Sequence, residues 1–313
     1  MDIKYLLMLQ ELRNATGGIF DEFFNAISKV AVDIMVFLPY LIFWGFDKKW
    51  GYRFLATDWF AELVNGVIKL TACAYRPWIR SSEIEPAGDS KVAATGYSFP
   101  SGHTTKATAM YGTVAIWQYK SRKWLSILCA IMILLTGFSR NFLGVHTPQD
   151  VIVGFLATVV LVYVVGKIQD VLDTKDDKFK DMLTWMGIGV AVLALIYIHV
   201  KPYPMDYVDG VLLVDPKKMM KDCMGGGGGV IGFCIGTYID RHYTHYEIPE
   251  ASPNLALLTG IGLGIIFSWK KYFEAAIMVQ AFGANVGFLI SAFLIVMFAI
   301  VVWPMVIKKY TAA

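Results

Sequence analysis

Apolar positions in this chain come in long unbroken runs rather than in alternating or one-faced patterns. Windows 30–46, 103–119, 124–138, 151–168, 182–199 and 285–307 carry few charges. A hydrocarbon core about 30 Å thick takes roughly 20 helical residues, and each window approaches that length. The pattern predicts a membrane-spanning helix in each. Window 54–75 is more polar, with Asp58, Glu62 and Lys69, and reads as a span whose charged face looks into a bundle. Windows 225–239 and 255–269 are short, and read either as two tilted spans or as one re-entrant pair. Both options leave the C-terminus on the same side. The two-residue period of an outer-membrane barrel is absent, so helices are the remaining way to satisfy a backbone in lipid. The expected fold class is all-α, a polytopic transmembrane helical bundle of about seven to nine spans.

Ahead of the first span, "YLLMLQELRN" and "FDEFF" read as amphipathic, with Leu6, Leu9, Phe20, Phe23 and Phe24 available to a membrane surface. The chain therefore divides into an interfacial segment (1–28), a core of spans (29–168) and additional C-terminal spans (169–313). A cleavable leader is not expected, because the first span lies well inside the chain and follows Asp21 and Glu22. Loops are expected at 77–100, 170–181 and 201–224.

Composition agrees: of 313 residues, 56% are hydrophobic and only 17% charged, which excludes an ordinary soluble domain. The net charge of +3 selects no anionic partner, and without a basic stripe nucleic acid is not expected as one. Cys73, Cys129, Cys223 and Cys234 lack metal-site spacing and read as small buried residues. His242 and His245 read as loop residues rather than metal ligands. Lys48, Lys49 and Arg53, Lys120, Arg122 and Lys123, and Lys308 and Lys309 all fall on one side, which the positive-inside rule makes cytoplasmic. The five glycines at 225–229 read as a hinge or a close packing surface, since no Lys-Ser or Lys-Thr follows them.

Chemistry-bearing residues gather at one end of the predicted bundle. Asp58, Glu62, Asn65, Lys69 and Arg76 are spaced for one helical face, which would carry two cations to one site. In "PSGH", Ser101 or Gly102 can cap a helix, presenting backbone amides and a positive helix end to an anion, with His103 beside them to move a proton. In "SRNFLGVHTPQD", Thr147 suits a cap, Pro148 the first helical position and Asp150 the first turn. A carboxylate four residues beyond His146 can accept its Nδ1 proton and leave Nε2 as a nucleophile. The planar, permanently charged fork of Arg140 matches a pair of phosphate oxygens.

These three segments together resemble the signature of the type 2 phosphatidic acid phosphatase family: Lys69 and Arg76-Pro77, then Pro100-Ser101-Gly102-His103, then Ser139-Arg140, His146 and Asp150. The resemblance covers residues 1 to about 168. It implies a phosphatase core in which His146 attacks phosphorus, Asp150 orients it and His103 protonates the leaving oxygen and later activates water. Lys69, Arg76, Ser101, Gly102 and Arg140 would hold the phosphate, with no metal and no cofactor. The implied partners are a lipid phosphate or pyrophosphate and the surrounding membrane lipids, with polyprenyl pyrophosphate, phosphatidylglycerophosphate and phosphatidate as fitting substrates. The implied location is a bacterial cytoplasmic membrane with the site on its extracytoplasmic side. The span count is closer to the nine-span layout of glucose-6-phosphatase, which keeps a soluble sugar phosphate open. Two further readings compete: a transporter or lipid-binding protein whose charged face lines a pathway, and a vanadate haloperoxidase, against which the apolar composition weighs.

Overall fold

Closing backbone hydrogen bonds within each segment is the arrangement that long apolar stretches demand in lipid, and the chain adopts it. The computed structural model describes residues 2–88, 90–93 and 96–311. Helix α1 (Asp2–Ala15) turns at Gly17 and Gly18, both at positive φ, into α2 (Asp21–Lys29). A π-helical turn (Val30–Ile34) and a 3₁₀ turn (Met35–Phe37) carry the chain on into α3 (Leu38–Gly45). Next come α4 (Lys48–Ala72), the short α5 (Pro77–Arg80) and α6 (Ser90–Ala93), then α7 (Gly102–Gln118), α8 (Lys123–Phe142), α9 (Pro148–Leu172) and α10 (Asp177–Val200). An antiparallel hairpin of β1 (Tyr207–Val208) and β2 (Val211–Leu212) pairs Tyr207 with Leu212. The chain ends in α11 (Pro216–Ile239), α12 (Pro253–Ser268), α13 (Gln280–Met297) and α14 (Trp303–Thr311).

Among the described residues five helical stretches are long and apolar enough to cross a membrane: Asp21–Gly45, Lys123–Phe142, Pro148–Leu172, Asp177–Val200 and Pro253–Thr311. The fold is thus an all-α polytopic bundle, and the protein an integral membrane protein. The first window begins late, because polar Asp21 and Glu22 hide the start of a stretch that runs from Asp21 to Gly45. The window at 225–239 is the apolar part of α11, whose 24 residues reach about 36 Å. Lys217, Lys218, Lys221 and Asp222 mask its first turns. The window at 255–269 continues through a π-helical segment (Trp269–Val279), and the chain reverses at Gly283, whose φ of 75° suits glycine. Trp269 Nε1 donates to Ser291 Oγ at 2.8 Å and Trp303 Nε1 to Leu258 O at 3.2 Å, pinning the returning arm to the outgoing one. The predicted 77–100 loop contains α5 and α6; residues 89, 94 and 95 of it lie outside the described residues.

The chain forms two compact units. One comprises Met1–Val36, Val64–Val162 and Lys201–Met219. In it, Phe24 of α2 packs against Phe138 and Phe142 of α8, with ring centroids 5.4 and 4.5 Å away. Leu6, Leu9 and Arg13 of α1 are buried, and Arg13 donates to Phe142 O and Glu85 O. Phe20 and Phe23 stay exposed. The 201–219 segment is tied in by Lys201 Nζ donating to Leu70 O and by Tyr75 OH donating to Asp206 Oδ2 at 2.6 Å.

The other unit comprises Phe37–Leu63, Tyr163–Val200 and Met220–Ala313. Here the glycine run is a packing surface. A Cβ on Gly226 would fall 2.5 Å from Leu63 N, one on Gly228 would strike the Leu289 backbone and one on Gly229 the Trp59 ring. Asp240 accepts from Lys48, Tyr52, Thr244 and the Tyr246 amide. Asp181 pairs with Arg241 at 2.6 Å and with His242 at 3.0 Å, so His242 is engaged by a carboxylate. All four cysteines are free; Cys73 is half-buried and the other three are buried.

Candidate active site

Every residue singled out for phosphate chemistry lies in the first unit. Lys69 occupies the last turn of α4, and its ammonium donates to Pro100 O at 2.9 Å, at the edge of the "PSGH" turn. Arg76 departs from the expected helical face. Helix α4 stops at Ala72, Cys73 takes φ of 48°, and Arg76 is extended at φ −62°, ψ 152°. Pro77, whose ring disfavours helical geometry in the residue before it, accounts for the extended Arg76; the helix has already ended at Ala72. The chain therefore delivers Arg76 by a turn, not by two further turns of helix.

Ser101 caps α7: its Oγ accepts from Thr104 N at 3.3 Å and from Thr104 Oγ1 at 2.9 Å. Gly102 and His103 are then the first two helical residues, with the early amides of α7 directed out of the helix end. The ionisable groups whose fields reach the His103 imidazole are Arg140, His146, Arg76 and Lys69, which gathers both histidines and all three cations into one region.

The third segment is wound tightly. Leu143 N bonds Ser139 O, Gly144 turns at φ 72°, and the amides of Val145 and His146 both bond Arg140 O. Asn141 Nδ2 donates to His146 O at 2.9 Å. Thr147 and Asp150 then form a reciprocal cap of α9: Thr147 N donates to Asp150 Oδ2 at 2.8 Å and Asp150 N to Thr147 Oγ1 at 3.4 Å. Ser101 N bonds Asp150 O at 2.9 Å, so the second and third segments share a backbone link. A small apolar core of Ala87, Leu143 and Val145, flanked by Phe24 and Trp78, packs around this loop.

His146 is buried, with its ring held from both sides. Arg76 Nη1 lies 2.9 Å from Nε2 and also donates to Val145 O at 2.9 Å. A guanidinium has only donors, so Nε2 is the acceptor and the proton sits on Nδ1. Asp150 Oδ2 faces Nδ1 at 3.4 Å. Burial and the Arg76 cation hold the imidazole well below the ordinary histidine value of 6.5, against the opposing pull of Asp150. The ring is therefore a neutral base with its lone pair on Nε2.

Arg140 is buried in the last turn of α8, donating from Nη1 to Ser28 Oγ of α2 at 2.9 Å; its Nε meets no hydrogen-bond partner among the described residues. Buried guanidinium nitrogens of this kind suit an incoming oxyanion. Three residues escaped the sequence reading. Ser98, buried, donates to Asp150 Oδ2 at 2.5 Å; Asn141 pins the His146 carbonyl; and Ser28 holds Arg140 across 112 residues of chain. Ser98 and Asn141 are near motif residues, which is a weak signal, and nothing local marks Ser28. No group of three or more His, Cys, Asp or Glu side chains among the described residues is arranged to hold a metal ion.

Compared with known proteins, residues 50–172 match the PAP2 superfamily model. Phosphatidylglycerophosphatase B of Bacillus subtilis is 32% identical over 110 residues, covering 33% of this chain and 53% of the relative. Undecaprenyl-diphosphatase of Sulfolobus acidocaldarius is 31% identical over 109 residues, 35% of this chain and 50% of the relative. Lipid phosphate phosphatase delta of Arabidopsis thaliana is 25% identical over 170 residues, 51% of this chain and 40% of the relative. The chain thus spans about half the length of the curated relatives it matches. No solved structure gives a significant match.

Proposed function

We propose that this chain, whose residues 50–172 match the PAP2 superfamily model, is a membrane phosphatase removing the terminal phosphate of a lipid phosphate or pyrophosphate. The observation that carries the reading is the His146 ring, with its Nε2 lone pair turned toward Arg76 and its Nδ1 toward Asp150. An arriving phosphate takes Arg76 off Nε2 and into contact with its own oxygens, beside Lys69, Arg140 and the amide end of α7. The phosphate's negative charge offsets the cations around His103 and lets its imidazole take up a second proton from solvent; Nε2 of His146 then bonds to phosphorus as the P–O bond to the lipid breaks, and His103 gives that proton to the leaving oxygen. His103, now neutral, takes a proton from water, whose oxygen attacks phosphorus; the N–P bond breaks and inorganic phosphate leaves. Fixed cations and amides meet the charge that develops on the equatorial oxygens.

The names of the relatives support substrates with a phosphate on a lipid, phosphatidylglycerophosphate and polyprenyl diphosphate among them. The apolar spans and the exposed Phe20 and Phe23 support a site serving a substrate held in the bilayer, and the basic short loops favour its extracytoplasmic face. Replacing His146 with Ala in the purified, detergent-solubilised protein is expected to reduce phosphate release by ~10³-fold or more. Turnover near the parent's would remove His146 from the nucleophile's role. Treatment with EDTA is expected to leave the parent's rate unchanged, and loss of activity restored by a divalent ion would refute metal-free chemistry.

A further inference from the structure

Ser98 is nearly inaccessible to solvent, at 1% exposure, and its amide is fixed to Ala74 O at 2.7 Å. Its Oγ stands between the two residues assigned to nucleophilic attack, 2.5 Å from Asp150 Oδ2 and 3.4 Å from His146 Nδ1. A serine hydroxyl has one proton to give, and a carboxylate oxygen only accepts. At 2.5 Å from Oδ2 that proton is committed to Asp150, so the lone pairs of Ser98 are what remains for Nδ1.

The imidazole consequently meets two acceptors on its Nδ1 side, Ser98 Oγ and Asp150 Oδ2, and a donor-only guanidinium on its Nε2 side. Every neighbour demands the same tautomer. Neither acceptor alone holds Nδ1 strongly, since each lies 3.4 Å away and the Asp150 oxygen also takes the Ser98 hydroxyl and the Thr147 amide. A bond that long is weak. From this geometry we propose that Ser98 is a positioning residue for the phosphoryl-transfer step: it locks the Asp150 carboxylate and, with it, keeps the His146 proton on Nδ1 so that Nε2 carries the lone pair. The inference rests on the phosphatase reading above.

Removing the hydroxyl leaves Lys69, Arg76 and Arg140 in place, so anion binding should survive while the chemical step suffers. In the full-length protein in detergent, Ser98→Ala is expected to lower kcat by roughly tenfold to a hundredfold. KM and the inhibition constant for inorganic phosphate should stay within about threefold. In ¹⁵N spectra of histidine-labelled protein saturated with inorganic phosphate, which draws Arg76 off Nε2, the parent should show His146 protonated on Nδ1, and the variant a mixture of tautomers. Ser98→Thr, which keeps the hydroxyl, should recover most of kcat, and unchanged thermal unfolding of Ser98→Ala would separate positioning from misfolding. If Ser98→Ala keeps kcat within twofold, or keeps the parent's tautomer, the inference is overturned while a dead His146→Ala leaves the phosphatase reading standing. Full activity in both variants would bring down the two together.

Discussion

At the residue scale, burial and the contact of Arg76 Nη1 with Nε2 keep the His146 ring neutral in the resting site. The native imidazole resists protonation below 6.5, whereas the unfolded chain takes up that proton near the ordinary value. The unfolded state therefore binds more protons in that window, and His146 withdraws stability as pH falls below about 6.5. The same depression keeps the nucleophile available, so the acid limb of kcat/KM should lie below 6.5. Replacing Arg76 with Met removes the cation and should move that limb upward; a pH–rate series would show it, and an unmoved limb would contradict the assignment. At Arg140 the neighbour is Ser28. Ser28→Ala leaves a buried charged donor without that acceptor, a loss of about 1–3 kcal/mol, to be read as a lowered Tm together with a raised inhibition constant for phosphate.

At the scale of elements, glycine decides which helices approach closely. In α11, Gly226 faces Leu63 N at a distance no Cβ tolerates, and Gly228 and Gly229 face a backbone and an indole ring. Gly226→Ala should destabilise the protein by about 1–3 kcal/mol or more through overpacking, measurable as a fall in Tm in detergent. Gly260 of α12 has no atom within 4 Å of its would-be Cβ. Gly260→Ala should leave Tm unchanged or raise it, since alanine is the better helix former by about 1 kcal/mol. An equal fall in both variants would mean that backbone freedom, not close packing, governs the run. The helix caps act at this scale too: the side chains of Ser101 and Thr147 accept from the Thr104 and Asp150 amides and so fix where α7 and α9 begin.

Over the whole molecule, the exposed apolar side chains of α9 and α10 are among those expected to face lipid. Leu193 of α10 is 67% exposed, and Ile152, Leu156, Met186 and Ile196 are exposed as well. Putting Arg at position 193 should cost about 2.5–3.5 kcal/mol of insertion free energy. The checkable result is a reduced yield of Leu193→Arg in carbonate-washed membranes; an undiminished yield would argue that this face is not in lipid.

The sequence alone determined the features that depend on near neighbours in the chain. Apolar run lengths specify spanning helices, because lipid leaves the backbone no outside partners. The caps at Ser101 and Thr147 and the four-residue step from His146 to Asp150 are likewise local, whereas the end of α4 at Ala72, which takes Arg76 off the expected helical face, was not legible. Element ends were less legible, because lysines and acids at the start of α11 and at Asp21 mask helical residues in any apolar count. Only the tertiary structure decided the rest. Arg76 meets His146 across 70 residues and Ser28 meets Arg140 across 112, and Ser98 bonds Asp150 across 52. The physical reason is that such pairings follow from packing and burial rather than from spacing. A serine's sequence neighbours say nothing of the buried charge that needs its hydroxyl.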